Sequence, residues 1–113
     1  QFCAFVPPSE DHIVHEATSN IITTRWCEVF CDIVPAEGGK DYGVKATLER
    51  LGIGPDEAIA FGDGENDLSM FSAVGTSVAM GNAYGATKDA ASYVTTRADD
   101  DGIWNACKHY RLV

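Results

Sequence analysis

Seven consecutive residues, Phe61-Gly62-Asp63-Gly64-Glu65-Asn66-Asp67, concentrate the chemistry available to this chain. They follow Ala58-Ile59-Ala60-Phe61, a short apolar run of the kind a strand buried on both faces requires. In parallel α/β sheets, ligands bind beyond the carboxyl ends of the strands, so Asp63 and Asp67 are expected to border a crevice. Two glycines let the backbone turn sharply and approach a ligand closely. Hard carboxylate oxygens are what Mg²⁺ selects, and the Asn66 amide can donate to a phosphate oxygen. The same residues also suit a plain acidic turn in which Asp67 favours the start of a helix. A calcium-binding loop is excluded, because its twelve-residue ligand spacing is missing.

Other candidates are weaker. His12 and His15 lie three apart on a possible helix, but no third metal ligand is placed near them. Cys3, Cys27, Cys31 and Cys107 show neither zinc-type pairing nor a dense disulfide framework. Cys27 and Cys31 are expected to share one face of a strand as small buried hydrophobes. Trp26 and Trp104 are expected to pack rather than to bind a ligand.

The elements that must position these groups follow from periodicity. Val44, Leu48 and Leu51 form an apolar stripe on a helix that ends at Gly52. The buried strand of 58–61 comes next, then a helix over 66–74 and a strand over 77–80. Ala83, Ala86 and Ala90 mark a small-faced helix, 93–96 a further strand. A last helix starts near Gly102, with Ile103, Cys107 and Tyr110 on one side. Asp99 to Asp101 suit the positive end of its dipole. Helix alternating with strand predicts an α/β fold with parallel strands in three layers. The first 35 residues differ: a short helix over 10–17, strands over 21–25 and 28–34, then a flexible crossing at Glu37-Gly38-Gly39. A boundary is therefore expected there, separating residues 1–35 from residues 36–113.

Bulk properties narrow the partners. Among 113 residues, 45% are apolar, enough for a real core. Seventeen acidic against eight basic residues give a net charge of −9. That argues against nucleic acid and anionic membranes, which demand a basic footprint, and favours a metal cation. No stretch has transmembrane length, and no leader pattern opens the chain. The cysteine usage fits a reducing cytoplasm. Gln1 as first residue is expected of a fragment.

Gly62-Asp63-Gly64-Glu65-Asn66-Asp67 resembles the fourth motif of Cof-type phosphatases in the haloacid dehalogenase superfamily. Val78-Ala79-Met80-Gly81-Asn82-Ala83 is similar to the strand and turn that follow it. Asp99-Asp100-Asp101-Gly102-Ile103 is similar to the acidic stretch opening the final helix of that group. Lys40 stands where the group carries its phosphate-neutralising lysine, although Asp41 follows it where glycine is usual. The resemblance covers roughly residues 28–113.

The resemblance implies a partial haloacid dehalogenase-like Rossmannoid core, in which residues 1–35 are a remnant of the cap domain with its returning strands. It implies a Mg²⁺-dependent phosphatase acting on a small phosphorylated metabolite through an aspartyl-phosphate. Lys40 would neutralise the transferring phosphoryl group. Asp63 would be a direct Mg²⁺ ligand, Asp67 would stand behind it or hold Lys40, and Asn66 would bind phosphate. The nucleophile motif precedes the cap in this family and is not found in these residues. The chain is thus expected to be inactive alone, and to self-associate or pair with a missing N-terminal half. Asp99 to Ile103 imitates the nucleophile motif, but Thr95-Thr96-Arg97-Ala98 separates it from the preceding strand, so it is expected to be a decoy. The competing reading is a non-catalytic phosphate-binding, Mg²⁺-binding or interaction module.

Overall fold

Two three-stranded sheets organise the chain, each built by different rules. The computed structural model describes residues 1–25 and 27–113, so the expectation for Trp26 lies outside the described residues. The first sheet is antiparallel, in the order β1 (Phe2–Ala4), β3 (Cys31–Pro35), β2 (Ile21–Thr24). Helix α1 (Asp11–Ala17) follows a single 3₁₀ turn at Pro8–Glu10 and buries Val14. Arg25 ties α1 to the end of β2, pairing with Asp11 and donating to the Val6 carbonyl at 2.8 Å. β1 was not foreseen, and β3 is shorter than expected. Cys31 is fully buried, but Cys27 precedes the strand and is only half-buried, so the two do not share a strand face.

The second sheet is parallel: β4 (Ile59–Gly62), β5 (Thr76–Ala79), β6 (Tyr93–Val94), in that order. β5 is central, and its Ser77, Val78 and Ala79 are buried. Ala60, Phe71, Ala73, Met80 and Ala106 complete the core around it. Buried strands of this kind read as continuous apolar runs. The α/β architecture with a parallel sheet is therefore as the sequence predicts.

Residues 36–39 link β3 to the helix that precedes β4. The radius of gyration is 15.6 Å and the longest extent 48 Å. A compact domain of this length would have a radius near ~13 Å. The chain is therefore more extended than a compact domain of its length.

Helix α2 (Lys40–Leu51) ends in Gly52, whose φ of 66° is the left-handed cap conformation that glycine adopts without penalty. The amide of Ile53 then bonds back to the Leu48 carbonyl at 3.0 Å. Val44 and Leu48 are half-buried, but Leu51 is 63% exposed, so the stripe is narrower than its spacing implied. No residue of α2 is fully buried.

Three shorter helices follow among the described residues. α3 (Leu68–Phe71) is cut down from the expected 66–74, because residues 65–67 form a 3₁₀ turn instead. In α4 (Gly85–Ala90) the alanines do not form the buried face: Ala86 and Ala90 are exposed, and Thr87 is buried with Ala83. In α5 (Gly102–His109) the inward line is Gly102 and Ala106, four apart, while Ile103 is exposed. Among the described residues, no helix is long and apolar enough to cross a membrane.

Candidate functional site

β4 ends at Gly62, and the chain doubles back on itself within five residues. Asp67 folds over so that its Oδ2 accepts from the amides of Asp63 at 2.9 Å and Gly64 at 3.2 Å. A Cβ on Gly62 would stand 2.6 Å from the Asp67 Cβ, so only glycine permits this return. The turn is 3₁₀ because its amides are held by a side chain, which leaves too few residues for an α-helical start. Its far side is pinned to β5 through the Met80 amide, which donates to the Gly62 carbonyl at 2.9 Å.

The second oxygen of Asp67 takes the ammonium of Lys40, 27 positions earlier. Lys40 is the first residue of α2, where a cation opposes the helix dipole. Local helix energetics therefore do not explain its place; the buried carboxylate opposite it does. The Lys40 side chain remains 49% exposed against 7% for Asp67, so its ammonium is anchored on one side and open on the other. Asp41, standing where the related pattern has glycine, pairs with Lys45 at 3.2 Å across one helical turn and leaves the start of α2 regular.

Charge follows from these contacts. Burial pushes the Asp67 carboxyl upward, but the Lys40 ammonium and the two backbone amides outweigh it. The net result lies below the ordinary carboxylate value of 3.8.

Asp63 points differently. It is exposed, and its Oδ2 accepts from the Asn82 side-chain amide at 3.2 Å. Its Oδ1 accepts no hydrogen bond among the described residues. The Asn66 amide likewise makes no hydrogen bond among them and is half-buried. Lys40, Asp63, Asn66 and Asp67 all line one concavity of about 470 Å³, together with Gly64, Asn82 and Tyr84. The four residues singled out from the sequence are thus brought together beyond the carboxyl end of β4.

Two further concavities adjoin it. One of about 610 Å³ is lined by Arg25, Cys27, Glu28, Glu65 and Tyr84, and shares Tyr84 with the first. Another of about 330 Å³ shares Lys40 and Asn66 and includes buried Asp32, whose Oδ1 accepts from the Cys3 thiol at 3.1 Å. Residues of β2 and β3 therefore border the concavity next to the site.

The weaker candidates separate from it. His12 bonds to the Ser9 carbonyl and His15 to the Thr23 hydroxyl, with no ligand shared. Among the described residues no group of three or more His, Cys, Asp or Glu could hold a metal. The four cysteines are free thiols. Asp99 pairs with Arg97 at 2.9 Å on the surface, and Asp101 adopts a left-handed φ of 51° at the start of α5. Asn82 was missed as a site residue: the sequence marks it only as turn chemistry after Gly81, since its partners are distant in the chain.

The family model for haloacid dehalogenase-like hydrolases matches residues 8–107. An uncharacterized Geobacillus stearothermophilus protein in the pdhA 5′ region is 45% identical over 89 residues, covering 79% of this chain and 94% of its own. Bacillus subtilis YkrA, provisionally named a phosphatase, is 41% identical over 104 residues, covering 92% of this chain and 40% of YkrA. Among solved structures, the subclass IIB sugar phosphatase BT4131 superposes with a TM-score of 0.91 at 34% identity, covering 98% of this chain and 43% of that one. The chain thus spans about two fifths of the length of YkrA and BT4131.

Proposed function

Because the chain belongs to the haloacid dehalogenase-like hydrolase family, we propose that it is the C-terminal portion of a Mg²⁺-dependent phosphatase of small phosphomonoesters. On this reading residues 1–35 are the remnant of a cap domain, and residues 36–113 are the later half of the core. The supporting observation is the Lys40–Asp67 pair, which brings a half-exposed ammonium to the Gly62–Asp67 turn at a strand's carboxyl end. Phosphoryl transfer is mostly positioning and charge stabilisation, and those are the services these residues offer.

Lys40 neutralises the phosphoryl oxygens while Asp67 holds it in place. Asn66 donates its free amide to one of those oxygens. Asp63 suits Mg²⁺ because it presents a hard, unpartnered carboxylate oxygen in the concavity. With a single open carboxylate the fit is that of an incomplete site, and Mg²⁺, which dehydrates reluctantly, binds it weakly. When bound, the ion supplies charge neutralisation for the phosphoryl group. None of Asp63, Asp67 and Asp99 is assigned as nucleophile on this reading: Asp63 is the ion's ligand, Asp67 holds Lys40 and the turn amides, and Asp99 pairs with Arg97 at the surface. The attacking group comes from residues outside these 113.

The test is an aryl phosphate assay in Mg²⁺. The 113-residue chain is expected to be inert, and the chain extended by the in-frame residues that precede Gln1 is expected to turn over and to lose activity in Asp63→Asn. Turnover by the 113-residue chain itself, abolished by Asp63→Asn, would overturn the reading.

A further inference from the structure

Asn82 sits on the turn after β5 and makes two hydrogen bonds, each to a different part of the molecule. Its Oδ1 accepts from the Ala98 amide at 2.9 Å, and its Nδ2 donates to Asp63 Oδ2 at 3.2 Å. The orientation of an asparagine amide is ordinarily an assignment from its surroundings. Here the surroundings leave one answer. The Ala98 amide is a donor and nothing else, so the atom facing it must be oxygen. The nitrogen is then forced towards Asp63, where a carboxylate waits to accept.

Ala98 is itself held. The Gly81 amide donates to the Thr96 carbonyl at 3.0 Å, and the Gly102 amide to the Arg97 carbonyl at 3.0 Å. Thr96 Oγ1 donates to the Asp100 carbonyl at 2.7 Å, and Asn105 Nδ2 donates to Thr96 Oγ1 at 2.9 Å. A Cβ on Gly81 would meet the Arg97 amide nitrogen at 2.7 Å, so the two turns are in direct backbone contact. Asn82, itself exposed, therefore bridges a well-bonded loop and an exposed carboxylate.

We propose that Asn82 is a positioning residue for cation binding: it ties down Asp63 Oδ2 so that Oδ1 alone is presented to a divalent ion. The inference rests on the reading of Asp63 as the cation ligand. A carboxylate free to rotate must lose that freedom when it binds an ion, and the Asn82 bridge lowers the cost beforehand. Groups that orient metal ligands from behind typically contribute about 10-fold to 100-fold in affinity.

The experiment titrates Mg²⁺ alone into the 113-residue chain and follows the backbone amides of residues 62–67 by NMR, with thermal unfolding alongside. Asn82→Ala is expected to weaken Mg²⁺ binding by about 10-fold. Asn82→Leu keeps the approximate shape but removes the amide donor to Asp63 without adding a charge. It is expected to weaken binding as Asn82→Ala does. A merely structural Asn82 would lower the unfolding temperature in both variants and leave both affinities at the wild-type value, which overturns the proposal. If Asn82→Ala does not fold, Asn82→Leu decides alone, and an unchanged affinity there overturns it. Failure of the underlying reading is visible separately: Mg²⁺ would then leave residues 62–67 unshifted in the wild-type chain, and this inference falls with it.

Discussion

Asp67 and Lys40 meet across 27 positions, and the acid is the buried partner: its side chain is 7% exposed against 49% for the lysine. The asymmetry decides what each contributes. Asp67 satisfies the Asp63 and Gly64 amides as well as the ammonium, so it organises the turn. Lys40 contributes a charge that remains accessible from the concavity.

Asp67→Ala should therefore cost much more stability than Lys40→Ala. The first leaves two backbone amides and an ammonium without their acceptor, worth about 2–3 kcal/mol. The second removes one half-exposed partner, worth about 1 kcal/mol or less. Urea denaturation of the two variants measures the difference, and equal midpoints would contradict the geometry.

The same carboxyl sets an acid limb. Its folded pKa lies below the ordinary value of 3.8. A depressed folded pKa means that the unfolded chain takes up the proton first as pH falls. The contribution of Asp67 is then complete above the unfolded value, near 4, and is lost as pH falls through the lower folded value. Urea midpoints of wild type and Asp67→Asn, measured from pH 6 to pH 2.5, should converge only below about pH 4. Convergence that begins near pH 6 would contradict the assignment.

Inorganic phosphate or sulfate should bind beside Lys40 and Asn66 in preference to any other surface. A net charge of −9 makes general anion binding improbable, so any affinity must be local. Lys40→Ala should abolish the phosphate-induced shifts of residues 62–67 in NMR spectra. Shifts that persist unchanged would remove Lys40 from the phosphate site.

Asp99→Asn and Asp101→Asn should change stability by only about 0.5 kcal/mol each through the dipole of α5. Neither should alter phosphate or Mg²⁺ binding, because Asp99 is spent on Arg97 and the contact of this loop with the site runs through the Ala98 backbone. A loss of binding in Asp99→Asn that Asp63→Asn does not share would restore the loop as a functional motif.

The isolated chain should not remain a clean monomer. β4 pairs only with β5 among the described residues, which leaves Ile59 to Gly62 as an apolar edge able to template pairing with another chain. Self-pairing, or exchange of strands between two copies, relieves that edge at low cost. Light scattering at micromolar concentration reads the outcome, and a monodisperse monomer refutes the edge argument.

Much of this was legible because the signals were local. The apolar run at 58–61 and the glycine at 52 each declare an element without reference to the rest of the chain. Where sequence reasoning missed, a distant contact had decided. β1 exists because β3 pairs with it, from Phe2 opposite Ile33 to Ala4 opposite Cys31. α3 lost its first turn to the Asp67 side chain, a contact that no periodicity registers. The inward face of α4 fell to Thr87 because spacing identifies a stripe without saying which stripe faces the sheet. Asn82 carried no site signal at all, since Asp63 lies 19 positions before it and Ala98 16 positions after.

The 27 positions between Lys40 and Asp67 also set a timetable during synthesis. A ribosome adds about 5–20 residues per second, so the lysine waits roughly 1–5 s before its carboxylate exists. Asn82 emerges later still, and its anchor at Ala98 last of all. The turn after β4 can close on Asp67 as soon as that residue is made, but the link from Asp63 through Asn82 to Ala98 must wait for residue 98. A polypeptide released before residue 98 would carry Lys40, Asp63, Asn66 and Asp67 yet lack the backbone amide that anchors Asn82.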